Sequence, residues 1–288
     1  MNYRHAFHAG NFADVVKHAV LWRILAHLLN KPAPFRVIDT HAGAGLYDLT
    51  GAEAQRSPEW REGIGRLLPP DGADALPPEA ATLIGGYLDI VRAAGKPGSL
   101  AAYPGSPLIV RACLRAQDRL IACELEPQAA GALVRHLRGE RRAKAIRIDG
   151  WTALQAYLPP KERRGLVLID PPFEADDEFE RLAEGLLAAW RKWPTGIFLA
   201  WYPIKSGREP ADLTRRLERG GLGKSLRVEL LAQRPPGDTR LRGSGQIVVN
   251  PPWRLDEELR LLLPAIAKRL NGHANGAANV ESFGAAGA

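Results

Sequence analysis

The chain is predicted to be an α/β protein with a mainly parallel, seven-stranded sheet and helices on both faces. Three observations predict this. Short Val/Ile/Leu-rich runs alternate with helix-length segments from residue 35 to residue 270, the pattern of a parallel sheet with helical crossovers. Successive runs end in a glycine turn or an acid (Gly43 and Gly45, then Glu124, Asp149 and Asp170), and open α/β sheets bind ligands at the carboxyl ends of their strands. The composition is globular: 288 residues, 45% hydrophobic and 25% charged.

The elements follow in order. Residues 1–11 form a polar, aromatic arm. Asn11 and Asp14 approximate a capping box for a helix from Phe12 to Leu29, with a buried stripe at Val15, Ala19, Trp22 and Leu25 or Ala26. Pro32 and Pro34 stop it. Phe35–Asp39 is the first strand, and Thr40-His-Ala-Gly-Ala-Gly45 is a turn open enough for a ligand to approach the backbone, although it lacks the third glycine of a dinucleotide fingerprint. Residues 46–105 break the pattern. Turn signals crowd them, helical patterns fall at about 58–68 and 78–94, and Val/Ile-rich strands are missing, so the segment is read as an inserted helical subdomain. A helix at about 107–117 resumes the main unit, which comprises residues 1–45 and 106–270.

Strands then fall at Leu120–Glu124, Ala145–Asp149, Leu166–Ile169 and Gly196–Trp201, the last closed by Tyr202-Pro203. Helices fall at about 128–137, 151–158, 177–190 and 209–220. Strands 226–232 and 246–250, joined without a long helix, suggest an antiparallel pair. A helix covers 255–270, and the Gly/Ala/Asn-rich residues 271–288 are expected to be a disordered tail.

The formal charge of +7 nudges toward a polyanionic partner. Cys113 and Cys123 form no C-x-x-C, so reduced thiols are expected. The N-terminus lacks an apolar signal core and no run reaches membrane-spanning length, so a cytoplasmic protein is the expectation. Five of the seven histidines lie in the first 41 residues, but no carboxylate or cysteine spacing completes a metal site, and none is expected.

The stretch Gly165-Leu-Val-Leu-Ile-Asp-Pro-Pro-Phe173 carries the sharpest chemistry. A fully buried strand delivers Asp170, two prolines stiffen the turn and present carbonyls without N–H donors, and Phe173 adds a flat apolar face. A carboxylate, bare carbonyls and an aromatic plate suit a planar base bearing an exocyclic amine. Upstream, an acid after the second strand of such a sheet holds ribose hydroxyls, normally about 20 residues after the glycine turn. Here 79 residues separate Gly45 from Glu124 (124 − 45), and the helical insertion accounts for the excess.

This order of glycine turn, ribose acid, Asp149-Gly150 and Asp-Pro-Pro-aromatic resembles a class I S-adenosylmethionine-dependent methyltransferase acting on an exocyclic amine. Together with Tyr3-Arg-His5-x-Phe-His-Ala-Gly-Asn11, Asp14-Val-x-Lys-His18, Tyr103-Pro-Gly-Ser-Pro107 and Trp201-Tyr-Pro203, it resembles the 23S ribosomal RNA adenine-N6 methyltransferase J family from about residue 3 to residue 254. The resemblance implies a Rossmann-like fold with an inserted helical subdomain. It implies that His18, His41, Ser106, Glu124, Asp149, Gly150 and Asp170 hold S-adenosylmethionine, that Asp170 is also catalytic, and that Tyr3, His5, Lys17 and Phe173 serve the RNA substrate. Phe173 stands where the family usually has tyrosine, so stacking is kept and a hydroxyl contact is lost. A monomer acting on 23S ribosomal RNA is expected.

Two alternatives stay open at this level: a guanine-N2 or DNA adenine methyltransferase, and a non-catalytic nucleic-acid-binding protein on the same fold. Asn250-Pro-Pro-Trp253 is a look-alike of the amine motif, read as a structural turn because it ends the last strand, after the cofactor motifs are complete. Arg138–Arg142 and Arg234–Arg242 are candidate phosphate contacts.

Overall fold

Side chains along Gly165–Ile169 alternate between two cores: Leu166 and Leu168 pack on one face of the sheet, Val167 and Ile169 on the other. Every residue of that strand is buried, as a central strand of a two-sided parallel sheet requires. The structure is a computed structural model and describes residues 4–69, 76–96, 98–205, 208–232, 241–271 and 277–284.

In chain order the elements are α1 (Phe12–Leu29), β1 (Arg36–Asp39), β2 (Leu46–Asp48), α2 (Ala52–Arg56), α3 (Ile64–Leu67), α4 (Pro78–Ala94) and β3 (Ala102–Pro104). There follow α5 (Ser106–Cys113), β4 (Arg119–Cys123), α6 (Pro127–His136), β5 (Ala143–Ile146), α7 (Gly150–Ala156) and β6 (Gly165–Ile169). The chain continues through α8 (Glu178–Lys192), β7 (Ile197–Ile204), α9 (Arg208–Arg219), β8 (Ser225–Leu231), β9 (Gly243–Val249), α10 (Leu255–Leu270) and β10 (Ala278–Phe283). The main sheet runs β10-β8-β9-β7-β6-β1-β4-β5. Strands β5, β4, β1, β6 and β7 are parallel, whereas β9 is antiparallel to β7 and β8, and β10 to β8. The chain leaves β1 toward β4 and β5, then returns to β6 on the other side of β1. That reversal opens a crevice at the carboxyl ends of β1, β4 and β6.

Helices α1, α4, α5 and α10 share one core, and α7, α8 and α9 cover the other face. Helix α1 is buried nearly all round rather than along the single expected stripe: Val16, Val20, Leu21, Ile24 and Leu28 are buried beside Val15, Ala19 and Leu25. The reason is its position between the sheet and α4, α5 and α10.

Among the described residues the sheet has eight strands, not seven. The eighth, β10, pairs antiparallel with β8 from Ala278↔Leu230 to Phe283↔Ser225, inside the segment expected to be a disordered tail. Its Asn279-Val-Glu-Ser-Phe283 sequence is short and polar, and only the open edge of β8 gives its backbone partners. Strand β7 also runs past the expected stop at Tyr202-Pro203, to Ile204. Beyond Ala200 it has no neighbour on the β6 side, so a proline is tolerated there. Strand β5 ends at Ile146, three residues earlier than expected, leaving Asp149 to cap α7.

Within residues 46–105 the expected helix at 58–68 is broken into a 3₁₀ turn at Glu59–Arg61 and the short α3. Gly63 is pressed against the Gly10–Asn11 backbone, where a Cβ would lie 2.1 Å from the Gly10 carbonyl, and Ile64 N–H donates to that carbonyl. The entry and exit strands β2 and β3 pair with each other, so the chain enters and leaves the segment side by side. We propose that it is an inserted helical subdomain whose core is continuous with that of α1.

Gly165 fixes how closely β6 approaches β1. Its φ is +155°, and a Cβ there would lie 1.8 Å from the Arg36 carbonyl. Gly165→Ala is expected to destabilise the protein by about 2 kcal/mol or more. Thermal unfolding should register this as a Tm lowered by about 4–8 °C, and an unchanged Tm would contradict the packing.

Candidate functional site

The N-terminus of α1 is built to hold a cation under the sheet's carboxyl edge. Asn11 Oδ1 accepts from Asp14 N–H at 3.0 Å, capping the helix. Asp14, nearly fully buried, accepts from Gly10 N–H at 2.9 Å and pairs with His5 Nε2 at 2.9 Å. One turn later Lys17 extends from the same face, its side chain 6% exposed, and its Nζ reaches Asp14 Oδ1 at 2.8 Å and Asp170 Oδ2 at 2.5 Å. Burial alone would depress the lysine, but the two carboxylates outweigh it and hold its pKa above the usual lysine value. Burial pushes Asp14 the other way, yet His5 and Lys17 keep it well below the usual carboxylate range.

Beside this triad lies a cleft of about 1200 Å³. Among the described residues, every one of the expected site positions lines it: His5, Lys17, His18 and His41; Ser106, Glu124, Asp149 and Gly150; Asp170 and Phe173. Tyr3 lies outside the described residues. Glu124, just past β4, accepts from Gly43 N–H and from Glu126 N–H, each at 2.8 Å, one on each carboxylate oxygen. Both oxygens retain a lone pair for a diol. Gly43 has φ +62°, and a Cβ there would strike the Tyr47 hydroxyl at 2.1 Å, so the turn must stay bare. Asp149 Oδ1 caps α7 through Thr152 N–H at 2.9 Å, and its Oδ2 takes no partner among the described residues.

The histidines are held apart in separate bonds rather than clustered. His18 Nδ1 meets the Tyr103 hydroxyl at 2.7 Å, and His41 Nδ1 meets Thr40 Oγ1 at 2.8 Å. Burial depresses His18 to about 3 and His41 to about 4, so both are neutral imidazoles at pH 7. His8 pairs with Glu59 and His27 with Glu258. Ser106 hydroxyl donates to Asp39 Oδ2 at 2.6 Å. Asp39 is fully buried and its pKa is pushed by burial up to about 7.

Phe173 adopts φ +51°, a left-handed conformation uncommon outside glycine and a frequent mark of functional strain. Its ring meets Phe179 edge-on at 4.8 Å and Trp201 at 5.7 Å. An acid, proline carbonyls and this aromatic cluster can accept the two hydrogens of a planar amine and cover its ring.

Sheet polarity separates the look-alike. Because β9 is antiparallel to β7, with Val249 opposite Phe198, Asn250 ends up at the edge opposite Asp170. Its side chain is spent on the Pro194 and Gly196 carbonyls at 2.7 and 2.6 Å. The Arg138–Arg142 cluster also lies at that far edge, where Leu120 N–H donates to the Arg142 carbonyl, and Arg142 is tied to Glu140. Of Arg234–Arg242, residues 234–240 lie outside the described residues. Sequence reasoning left three participants without a role: Asp14, Tyr103 and Trp201. For Asp14, the spacing to Lys17 (i, i+3) in a capped first turn was the available signal.

The chain is similar to proteins of one family over most of its length. The family model described as "Ribosomal RNA large subunit methyltransferase D, RlmJ" matches residues 32–283. The chain is 40% identical over 279 residues to the Ribosomal RNA large subunit methyltransferase J of Escherichia coli, covering 95% of this chain and 97% of that one. It is 38% identical over 283 residues to the protein of the same name from Haemophilus influenzae, covering 98% of each. A crystal structure of a Legionella pneumophila protein superposes with a TM-score of 0.86 at 33% identity, over 96% of this chain and 98% of that one.

Asp14 ties the site to acid stability. Its folded pKa is depressed, so the unfolded chain binds the extra proton as pH falls; the Asp14 contribution is complete above about pH 4 and fades below it. Wild-type unfolding free energy should therefore fall more steeply on acidification below about pH 4 than that of Asp14→Asn, as read by urea denaturation. Parallel profiles would contradict the assignment.

Proposed function

The chain belongs to the family of ribosomal RNA large subunit methyltransferase J, and from that premise we propose that it transfers a methyl group from S-adenosylmethionine to the N6 amine of an adenine in 23S ribosomal RNA. The observation that carries the reading is Asp170 at the carboxyl end of β6, held by a buried ammonium and followed by Pro171, Pro172 and Phe173.

The cleft's own groups fit the cofactor. Glu124 retains lone pairs for the ribose hydroxyls, Asp149 and Gly150 would take the adenine, and the bare Gly43 turn admits close approach. His18, His41 and Ser106 remain for its amino-acid end. The bound cofactor supplies an electrophilic methyl on a sulfonium.

The residues then have positioning work. An adenine amine is a poor nucleophile because its lone pair is delocalised into the ring. Asp170 and the Pro171 carbonyl accept its two hydrogens, which orients the lone pair out of the ring plane toward the methyl. Lys17 holds Oδ2 of Asp170, so the other oxygen faces the amine in a fixed direction. Catalysis is then mostly positioning and electrostatics. Asp170 takes the proton only as the methyl arrives and the amine becomes acidic. Phe173 stacks on the extruded base, as enzymes acting on bases require. His5 lines the cleft on the substrate side, Tyr3, outside the described residues, is taken to serve the RNA with it, and Lys205 and Arg4 at the cleft offer charge to phosphates. We take the enzyme to be a cytoplasmic monomer; among the described residues no helix is long and apolar enough to cross a membrane.

Asp170→Asn is expected to lower kcat by about 10²–10³-fold, measured as isotopic methyl transfer into large-subunit ribosomal RNA that lacks its modifications. Wild-type turnover in the variant would remove Asp170 from the reaction. Lys17→Met should also slow transfer, by about tenfold or more, because Asp170 loses the cation that orients it.

A further inference from the structure

His18 and His41 both line the cleft and both turn Nδ1 into the protein. The bonds that receive those nitrogens run in opposite senses. Behind His18 stand two fully buried tyrosines, with Tyr103 hydroxyl 2.7 Å from Nδ1 and 2.9 Å from Tyr87 hydroxyl. Tyr87 hydroxyl has no other partner among the described residues, so its hydrogen has only Tyr103 to go to. Tyr103 then donates to His18 Nδ1, and the imidazole proton sits on Nε2. The reverse sense would bury the Tyr87 hydrogen without an acceptor, and is disfavoured about tenfold or more.

At His41 the sense is reversed. Thr40 Oγ1 lies 2.9 Å from the Leu168 carbonyl and 2.8 Å from His41 Nδ1. The hydroxyl has one hydrogen and a carbonyl can only accept. Thr40 therefore donates to Leu168, and His41 Nδ1–H donates to Thr40. His41 Nε2 is left as a bare lone pair.

We propose that Tyr103 and Thr40 are positioning residues that hold His18 and His41 in opposite tautomers, so that His18 Nε2–H receives the carboxylate and His41 Nε2 the ammonium of the cofactor's amino-acid end. The inference rests on the methyl-transfer reading and deepens it. Glu124 and Asp149 account for the ribose and base, and the remaining part of the cofactor brings one carboxylate and one ammonium. A neutral donor and a neutral acceptor match that zwitterion without burying a net charge.

Long-range ¹H–¹⁵N spectra of histidine-labelled, cofactor-free protein read the tautomers directly. The expected result is Nε2–H at His18 and Nδ1–H at His41, with Tyr103→Phe abolishing the bias at His18 and Thr40→Val that at His41. Calorimetry supplies the second reading. Each variant should weaken S-adenosylhomocysteine about tenfold while leaving 5′-methylthioadenosine, which lacks the amino-acid end, within twofold. Like tautomers in the wild type, or equal weakening of both ligands, would overturn the proposal. A wild type that binds neither ligand would overturn the methyl-transfer reading itself, and this proposal with it.

Discussion

An ammonium with 6% of its side chain exposed is tolerated only because two carboxylates meet it, Asp14 at 2.8 Å and Asp170 at 2.5 Å. Desolvation makes such a cation costly on its own, so each partner constrains the other two. The constraint is geometric as well as electrostatic. Lys17 belongs to α1, Asp170 to the end of β6, and 153 residues separate them. Their pairing pins the N-terminus of α1, and with it His5 and Gly10, to the carboxyl edge of the sheet. Helix α1 is also buried on nearly every side, so the ammonium is carried by an element with little freedom to shift.

Polarity of the sheet does the remaining sorting. Every parallel strand from β5 to β7 delivers its carboxyl end to one edge, and Glu124, Asp149 and Asp170 arrive there in succession. The antiparallel β9 delivers Asn250 to the other edge. Two nearly identical sequences, Asp-Pro-Pro-Phe and Asn-Pro-Pro-Trp, thus meet opposite fates. At the first, Phe173 joins Phe179 and Trp201 in an aromatic group at the cleft. At the second, Trp253 is 81% exposed and the asparagine closes a turn. Strand direction, not the motif alone, decides which of them can do chemistry.

Much of this was legible in the sequence because it rests on local patterns. Apolar runs followed by acids mark strand ends, and Asn11 before Asp14 marks the start of α1, which begins at Phe12 as its cap dictates. Features that depend on partners were not legible. Strand β10 is too polar to announce itself and forms because β8 leaves an edge open. The break at Gly63 comes from the Gly10 carbonyl, a contact across 53 residues (63 − 10). The same holds in the site. Lys17 and His18 are adjacent, yet one faces Asp170 and the other a tyrosine pair contributed by α4 and β3, and no spacing within α1 reveals either.

The cleft, then, is an acid fixed by a buried cation, flanked by carbonyls that only accept and by aromatic rings, with Glu124 and Asp149 beside it. Its central claim is that the accepting group is the exocyclic amine of adenine. Mass spectrometry of nucleosides from unmodified 23S ribosomal RNA, after incubation with the protein and S-adenosylmethionine, tests this most directly. N6-methyladenosine at a single position is the expected product; N2-methylguanosine in its place would contradict the assignment.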